Sequence, residues 1–164
     1  MRIFLVGVAV SAILSGELKA AEIDFLKLPE PPQHGSSQQT GAQRNPDDPA
    51  HYNRRGQVKM KAGVLASSQA VMPGDLLKIS LFADKPYRII VDAQEQDRLG
   101  GHKIIGRVEG SPYQTFIMST DAEDFVISLQ DLSSGKTYFI SGKTATGQGS
   151  VLEVDDRKKP RRIQ

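Results

Sequence analysis

Residues 72–93, MPGDLLKISLFADKPYRIIVDA, decide the fold. Leu77, Ile79 and Leu81 alternate with Lys78 and Ser80. Successive side chains of a strand point to opposite faces, so this stretch has one apolar and one polar side. Met72-Pro73-Gly74-Asp75 precedes it and Asp84-Lys85-Pro86 follows it, both built from turn formers. Tyr87–Ala93 then supplies a second run rich in Ile and Val, residues that suit a pleated sheet. Strand, tight turn and strand is the antiparallel pattern.

The pattern continues in both directions. Upstream lies Val58–Leu65 (VKMKAGVL). Downstream come Ile104–Gly110 (IIGRVEG), Gln114–Thr120 (QTFIMST), Phe125–Asp131 (FVISLQD), Thr137–Ser141 (TYFIS) and Gly149–Asp155 (GSVLEVD). Turns fall at Arg98–His102, Ser111-Pro112, Asp121–Asp124 and Ser133–Lys136. No segment sustains a helical period. The reading is an all-β domain over residues 58–155, a small antiparallel β-sandwich or partly open barrel of about seven to eight strands.

Residues 1–20 read as a signal peptide: Arg2, then the apolar run Ile3–Leu14, then small residues at Ala20 and Ala21. The run is too short to span a bilayer, which takes ~20 apolar residues. Cutting after Ala20 puts Leu18 at the −3 position, whereas cutting after Ala21 would put Lys19 there, a poor fit. Residues 21–57 read as a flexible linker, because 33–57 hold too few aliphatic side chains to offset the entropy of ordering. The linker's first part has an apolar face, Ile23, Phe25, Leu26 and Leu28, able to dock on another surface, the domain itself included. Residues 156–164 form a basic tail; its RKKPRR run reads as solvated, beside acidic Glu153, Asp155 and Asp156.

The net charge of +2 gives no basic stripe of the kind that nucleic acid requires. With no cysteine, disulfides and thiol chemistry are excluded. An exported domain without disulfides fits a bacterial periplasmic or secreted protein, with no stable membrane insertion once the signal is cut.

Chemistry is sparse. The three histidines, His34, His51 and His102, sit in the linker and at a hairpin tip, at no ligand spacing. There is no GxSxG elbow. Gly142–Gly149 (GKTATGQG) lacks the upstream glycine and downstream helix of a phosphate loop and reads as a hairpin loop. Asp121–Asp124 lacks the alternation of a calcium loop and reads as a solvated turn. No enzyme, cofactor or metal is expected.

Taken together, PGDLLKISLF, YRIIVD, HKIIGRVEGSP, TFIMS, SGKTYFI and LEVD resemble the N-terminal pro-region module of secreted bacterial zinc metalloproteases of the reprolysin-like (adamalysin-like) group. The most specific pieces are Gly106–Pro112 and Gly135–Ile140, although Gly106 and Gly110 also suit a bulge and a turn. The family's catalytic HExxH motif is absent from these residues, and Asp121–Asp124 replaces its usual glycine-containing hairpin. The resemblance implies a pro-region-like domain that binds a separately encoded secreted zinc metallopeptidase, as inhibitor or folding partner. Without a cysteine, inhibition would be steric or use oxygen or imidazole ligands. Two other expectations stand beside it: a surface-binding or adhesion module on a tether, and the remnant of a truncated metalloprotease gene. If exposed loops bind a protein, the candidate residues are His102, Arg107 and Glu109.

Overall fold

A computed structural model describes residues 21–28, 49–61, 71–96 and 100–158. The signal peptide expected over 1–20, linker residues 29–48 and the end of the basic tail lie outside the described residues. The strands are β1 (Glu22–Lys27), β2 (Tyr52–Met60), β3 (Leu76–Phe82), β4 (Lys85–Gln96), β5 (His102–Val108), β6 (Thr115–Thr120), β7 (Asp124–Asp131), β8 (Lys136–Lys143) and β9 (Gln148–Asp155). They close into one barrel in the order β1-β2-β9-β8-β7-β6-β5-β4-β3. A single 3-10 turn, Asp156–Lys158, follows β9.

Two expectations are corrected. The domain is a closed mixed barrel, not an antiparallel sandwich or partly open barrel, and it has a ninth strand. That strand, β1, comes from the stretch assigned to the flexible linker; the linker's other end, Tyr52–Gln57, is the start of β2. β1 wedges between β2 and β3, antiparallel to the first through Leu26↔Met60 and parallel to the second through Glu22↔Leu76 and Ile23↔Leu77. An odd ring cannot be antiparallel at every contact, and the parallel β1–β3 seam is where the mismatch falls. The apolar face seen in the sequence therefore docks on the domain itself, with Phe25 and Leu26 both fully buried.

Alternation fills the interior. Leu77, Ile79 and Leu81 on β3 point inward with Phe116 and Met118 on β6 and Phe125, Ile127 and Leu129 on β7. Lys78, Arg88 and Arg107 on neighbouring strands are exposed. An apolar inside with charges outside is the reverse of a lipid-facing barrel. No helix among the described residues is long and apolar enough to cross a membrane. Register shifts in the β1–β3, β2–β9, β3–β4 and β4–β5 pairs provide the local kinks that curve a sheet into closure.

Two glycine sites make close approaches. Opposed Gly142 and Gly149 form a floor under the Phe125 ring, and a Cβ on Gly142 would stand 2.5 Å from Phe125 Cζ and 2.2 Å from the Gln148 carbonyl oxygen. A Cβ on Gly106 would stand 2.6 Å from the Ile90 carbonyl oxygen. It lies opposite Val91, beside the β4–β5 register shift.

Candidate functional site

Away from the Asp124 and Lys143 end, the outward positions of β6 to β9 form one continuous uncharged face. They are Thr115, Ile117 and Ser119; Val126, Ser128 and Gln130; Phe139 and Ser141; and Ser150 and Leu152. Ladder pairing places Ile117, Ser128, Phe139 and Leu152 in a row across the four strands, with Ile105 of β5 continuing it. Ile117 is 42% exposed, Val126 53% and Phe139 43%. A depression of about 730 Å³ lies at one end of the face, lined by Gln57, Val126, Ser141, Ser150, Thr146 and Gln148, among others. The ion pair Lys143–Asp124 (2.7 Å) stands at its rim. Large apolar side chains exposed together without charges between them mark an interaction surface more than scattered single ones do.

The end of the barrel where β3, β5, β7 and β9 finish carries a buried polar plug. Glu153, with a side-chain exposure of 0%, takes hydrogen bonds from Asn53 Nδ2, Lys136 Nζ (2.6 Å) and Arg54 Nε (2.9 Å). Arg54 also holds Asp84 at 2.9 Å and lays its guanidinium 3.9 Å from the centre of the Phe82 ring. Burial alone would raise the Glu153 pKa; the bonds from Lys136, Asn53 and Arg54 outweigh it and hold the group below the usual glutamate range. Asp131 follows the same pattern. Its Oδ1 accepts from Gln114 Nε2 (2.7 Å), Ser133 Oγ (2.6 Å) and Ser134 N (3.2 Å), and its Oδ2 from Tyr87 Oη (3.0 Å). Burial works against these bonds and loses, so the carboxyl is held below the usual aspartate range.

Tyr87 and Tyr138 pack edge to face, with ring centroids 5.7 Å apart. Burial, with the Glu153 and Asp131 charges nearby, pushes the Tyr138 phenol up to about 12. Burial and the adjoining Tyr138 and Asp131 push Tyr87 up as well. The oxygens of both buried carboxylates are already engaged by donors. Such a cluster anchors strand ends; it leaves no lone carboxylate poised to take a substrate proton.

The sequence candidates do not converge. His102 opens β5 instead of forming a hairpin tip; it pairs with Gln96 and Thr120, and its buried Nδ1 meets no hydrogen-bond partner among the described residues. Arg107 lies five positions along the same strand, ~16 Å away and on the opposite face. It is exposed and ion-paired with Asp92. Glu109 sits just past β5 and pairs with Arg88 at 3.1 Å. Sequence reasoning missed the Glu153 cluster, reading that residue as a neighbour of the solvated tail. It also passed over Val126, although the alternation of β7 already set it opposite Phe125.

Other sequence motifs settle into structural roles. Within Gly142–Gly149, read as a hairpin loop, Thr144–Gly147 makes the β8–β9 turn and the residues on either side belong to the two paired strands. Asp121 Oδ1 accepts the backbone N–H groups of Glu123 and Asp124, both at 2.8 Å, and so builds its own turn. Among the described residues no group of three or more His, Asp or Glu is placed to hold a metal ion.

No protein-family model matches the chain, and no curated protein does. Among solved structures the chain is similar to one described as the structure of a chaperone–substrate complex, at 15% sequence identity. That likeness covers 66% of this chain and 90% of the other, with a TM-score of 0.49.

Proposed function

We propose that this chain is an exported, non-catalytic binding barrel whose partner is a polypeptide. The supporting observation is the uncharged outer face of β6 to β9, with Ile117, Val126 and Phe139 exposed together. A protein surface covering that face would bury large apolar side chains without stripping water from any charge, the arrangement found at the centre of protein–protein interfaces. The saturated hydrogen bonding of Glu153 and Asp131 supports a scaffold role for the polar plug. The pro-region resemblance of Gly106–Pro112 and Gly135–Ile140 supplies the partner's class, a separately encoded secreted zinc metallopeptidase that the barrel inhibits or helps to fold.

The test is capture from the exported fraction of the source organism, with the wild-type chain and an Ile117→Lys/Phe139→Lys double variant as baits. Wild type should recover a peptidase and lower its activity, and the double variant should recover none. Equal recovery by both baits would remove the face from the interaction. Recovery of other proteins but no peptidase would refute the partner class.

A further inference from the structure

The barrel contains a buried carboxylate bonded to the backbone just ahead of β1. Asp75, in the turn before β3, is 9% exposed. Its Oδ2 accepts Met72 N at 2.7 Å and its Oδ1 accepts Ala21 N at 2.9 Å. The cations of the surrounding strands are engaged elsewhere: Lys78 with Glu22 at 3.1 Å, Arg88 with Glu109 at 3.1 Å and Lys27 with Asp24 at 2.9 Å. Among the described residues, both of these bonds to the Asp75 carboxylate come from backbone nitrogens. A buried charge met only by neutral donors is expensive.

The nitrogen in question is a special one. Cutting after Ala20 makes Ala21 the first residue, and the donor to Asp75 becomes an α-ammonium without moving. Nothing else in the site has to change, because the Ala21 carbonyl already accepts Leu76 N at 2.9 Å and Glu22↔Leu76 opens the β1–β3 ladder. A cut one residue later would delete the donor, and an earlier cut would leave an amide in its place. We propose that signal removal after Ala20 creates an ion pair between the new α-ammonium of Ala21 and the carboxylate of Asp75, and that this pair locks β1 into the barrel. The proposal rests on the export reading of residues 1–20. Processing and barrel closure are thereby coupled: a charge-assisted bond, roughly twice as strong as its neutral counterpart, forms only in the processed chain.

The experiment uses the full-length precursor made in an exporting bacterial host. Intact mass of the chain recovered from the exported fraction should correspond to a first residue of Ala21. Part of that material is then acetylated at its α-amino group under mildly acidic conditions that spare lysines. Acetylation should lower the thermal midpoint by about 3–8 °C. In an Asp75→Asn background it should lower the midpoint by no more than about 1 °C. A second precursor, with one serine inserted between Ala20 and Ala21, keeps Asp75 and moves the ammonium one residue away; its exported form should show the same loss as the acetylated chain. A chain absent from the exported fraction, or uncut, overturns the export reading and the proposal with it. A chain that begins at Ala21 but whose midpoint ignores both acetylation and the insertion overturns the ion pair and leaves the export reading standing.

Discussion

Replacing Glu153 with glutamine removes one charge from the barrel end and leaves the side-chain volume almost unchanged. Wild-type Glu153 satisfies Asn53, Arg54 and Lys136 from a side chain with an exposure of 0%. Breaking a buried ion pair by removing one partner costs about 3–5 kcal/mol, because the other charge stays behind uncompensated. Here the cost is smaller. Arg54 keeps Asp84 at 2.9 Å, and the Arg54 and Lys136 side chains still reach solvent, at 19% and 20% exposure. About 2–3 kcal/mol remains, a large share of the ~5–15 kcal/mol that holds a domain folded.

The expected fall in thermal midpoint is roughly 8–12 °C, read by far-ultraviolet circular dichroism and checked by urea titration. Acid supplies an independent readout. The Glu153 carboxyl titrates below its unfolded-state value, so its contribution is complete above about pH 4.3 and fades as the pH falls through the lower folded-state value. The stability gap between wild type and Glu153→Gln should therefore close on acidification below that pH. A gap under about 0.5 kcal/mol at neutral pH, or one that persists unchanged into acid, would refute the idea that a charged Glu153 organises this end of the barrel.

The other predictions concern separate parts of the molecule. Ile117→Lys and Phe139→Lys should each change stability by no more than about 0.5 kcal/mol, since both positions face outward, while abolishing partner capture. Gly142→Ala should destabilise by about 2–3 kcal/mol in urea unfolding, because its Cβ would collide with backbone at 2.2 Å as well as with Phe125. In a spectrophotometric phenol titration of the folded protein, Tyr138 should ionise at about 12 and Tyr87 too should ionise above the ordinary phenol value, and both should titrate earlier once denaturant unfolds the barrel.

Most strands were legible because their alternation is unbroken. Leu77, Ile79 and Leu81 gave β3 its bounds, and Phe125, Ile127 and Leu129 gave nearly the whole of β7. β1 was hidden by its own irregularity. The register shift between Asp24 and Leu26 buries Phe25 and Leu26 in succession, so the two-residue period that announces a strand is lost. The start of β2 was hidden differently. Tyr52–Gln57 looks like linker because Asn53 and Arg54 are polar, yet both turn toward Glu153, a partner about a hundred positions away that no local pattern reveals. Closure could not be read without β1, since the eight runs visible in the sequence are compatible with an open sheet. The uncharged face was written in the outward residues of β6 to β8, but serine and threonine at such positions carry no local sign that Ile117, Val126 and Phe139 share one face.

The wedged position of β1 also has a meaning for engineering. Removing residues 21–28 would leave a slot between β2 and β3 with one antiparallel and one parallel wall, the place of a six-residue strand that buries Phe25 and Leu26 in succession. The intact chain carries that strand on a tether, at a high effective concentration, so the slot is self-occupied. Cut apart, the two pieces would act as a complementation pair whose reassembly reports that their fusion partners have met.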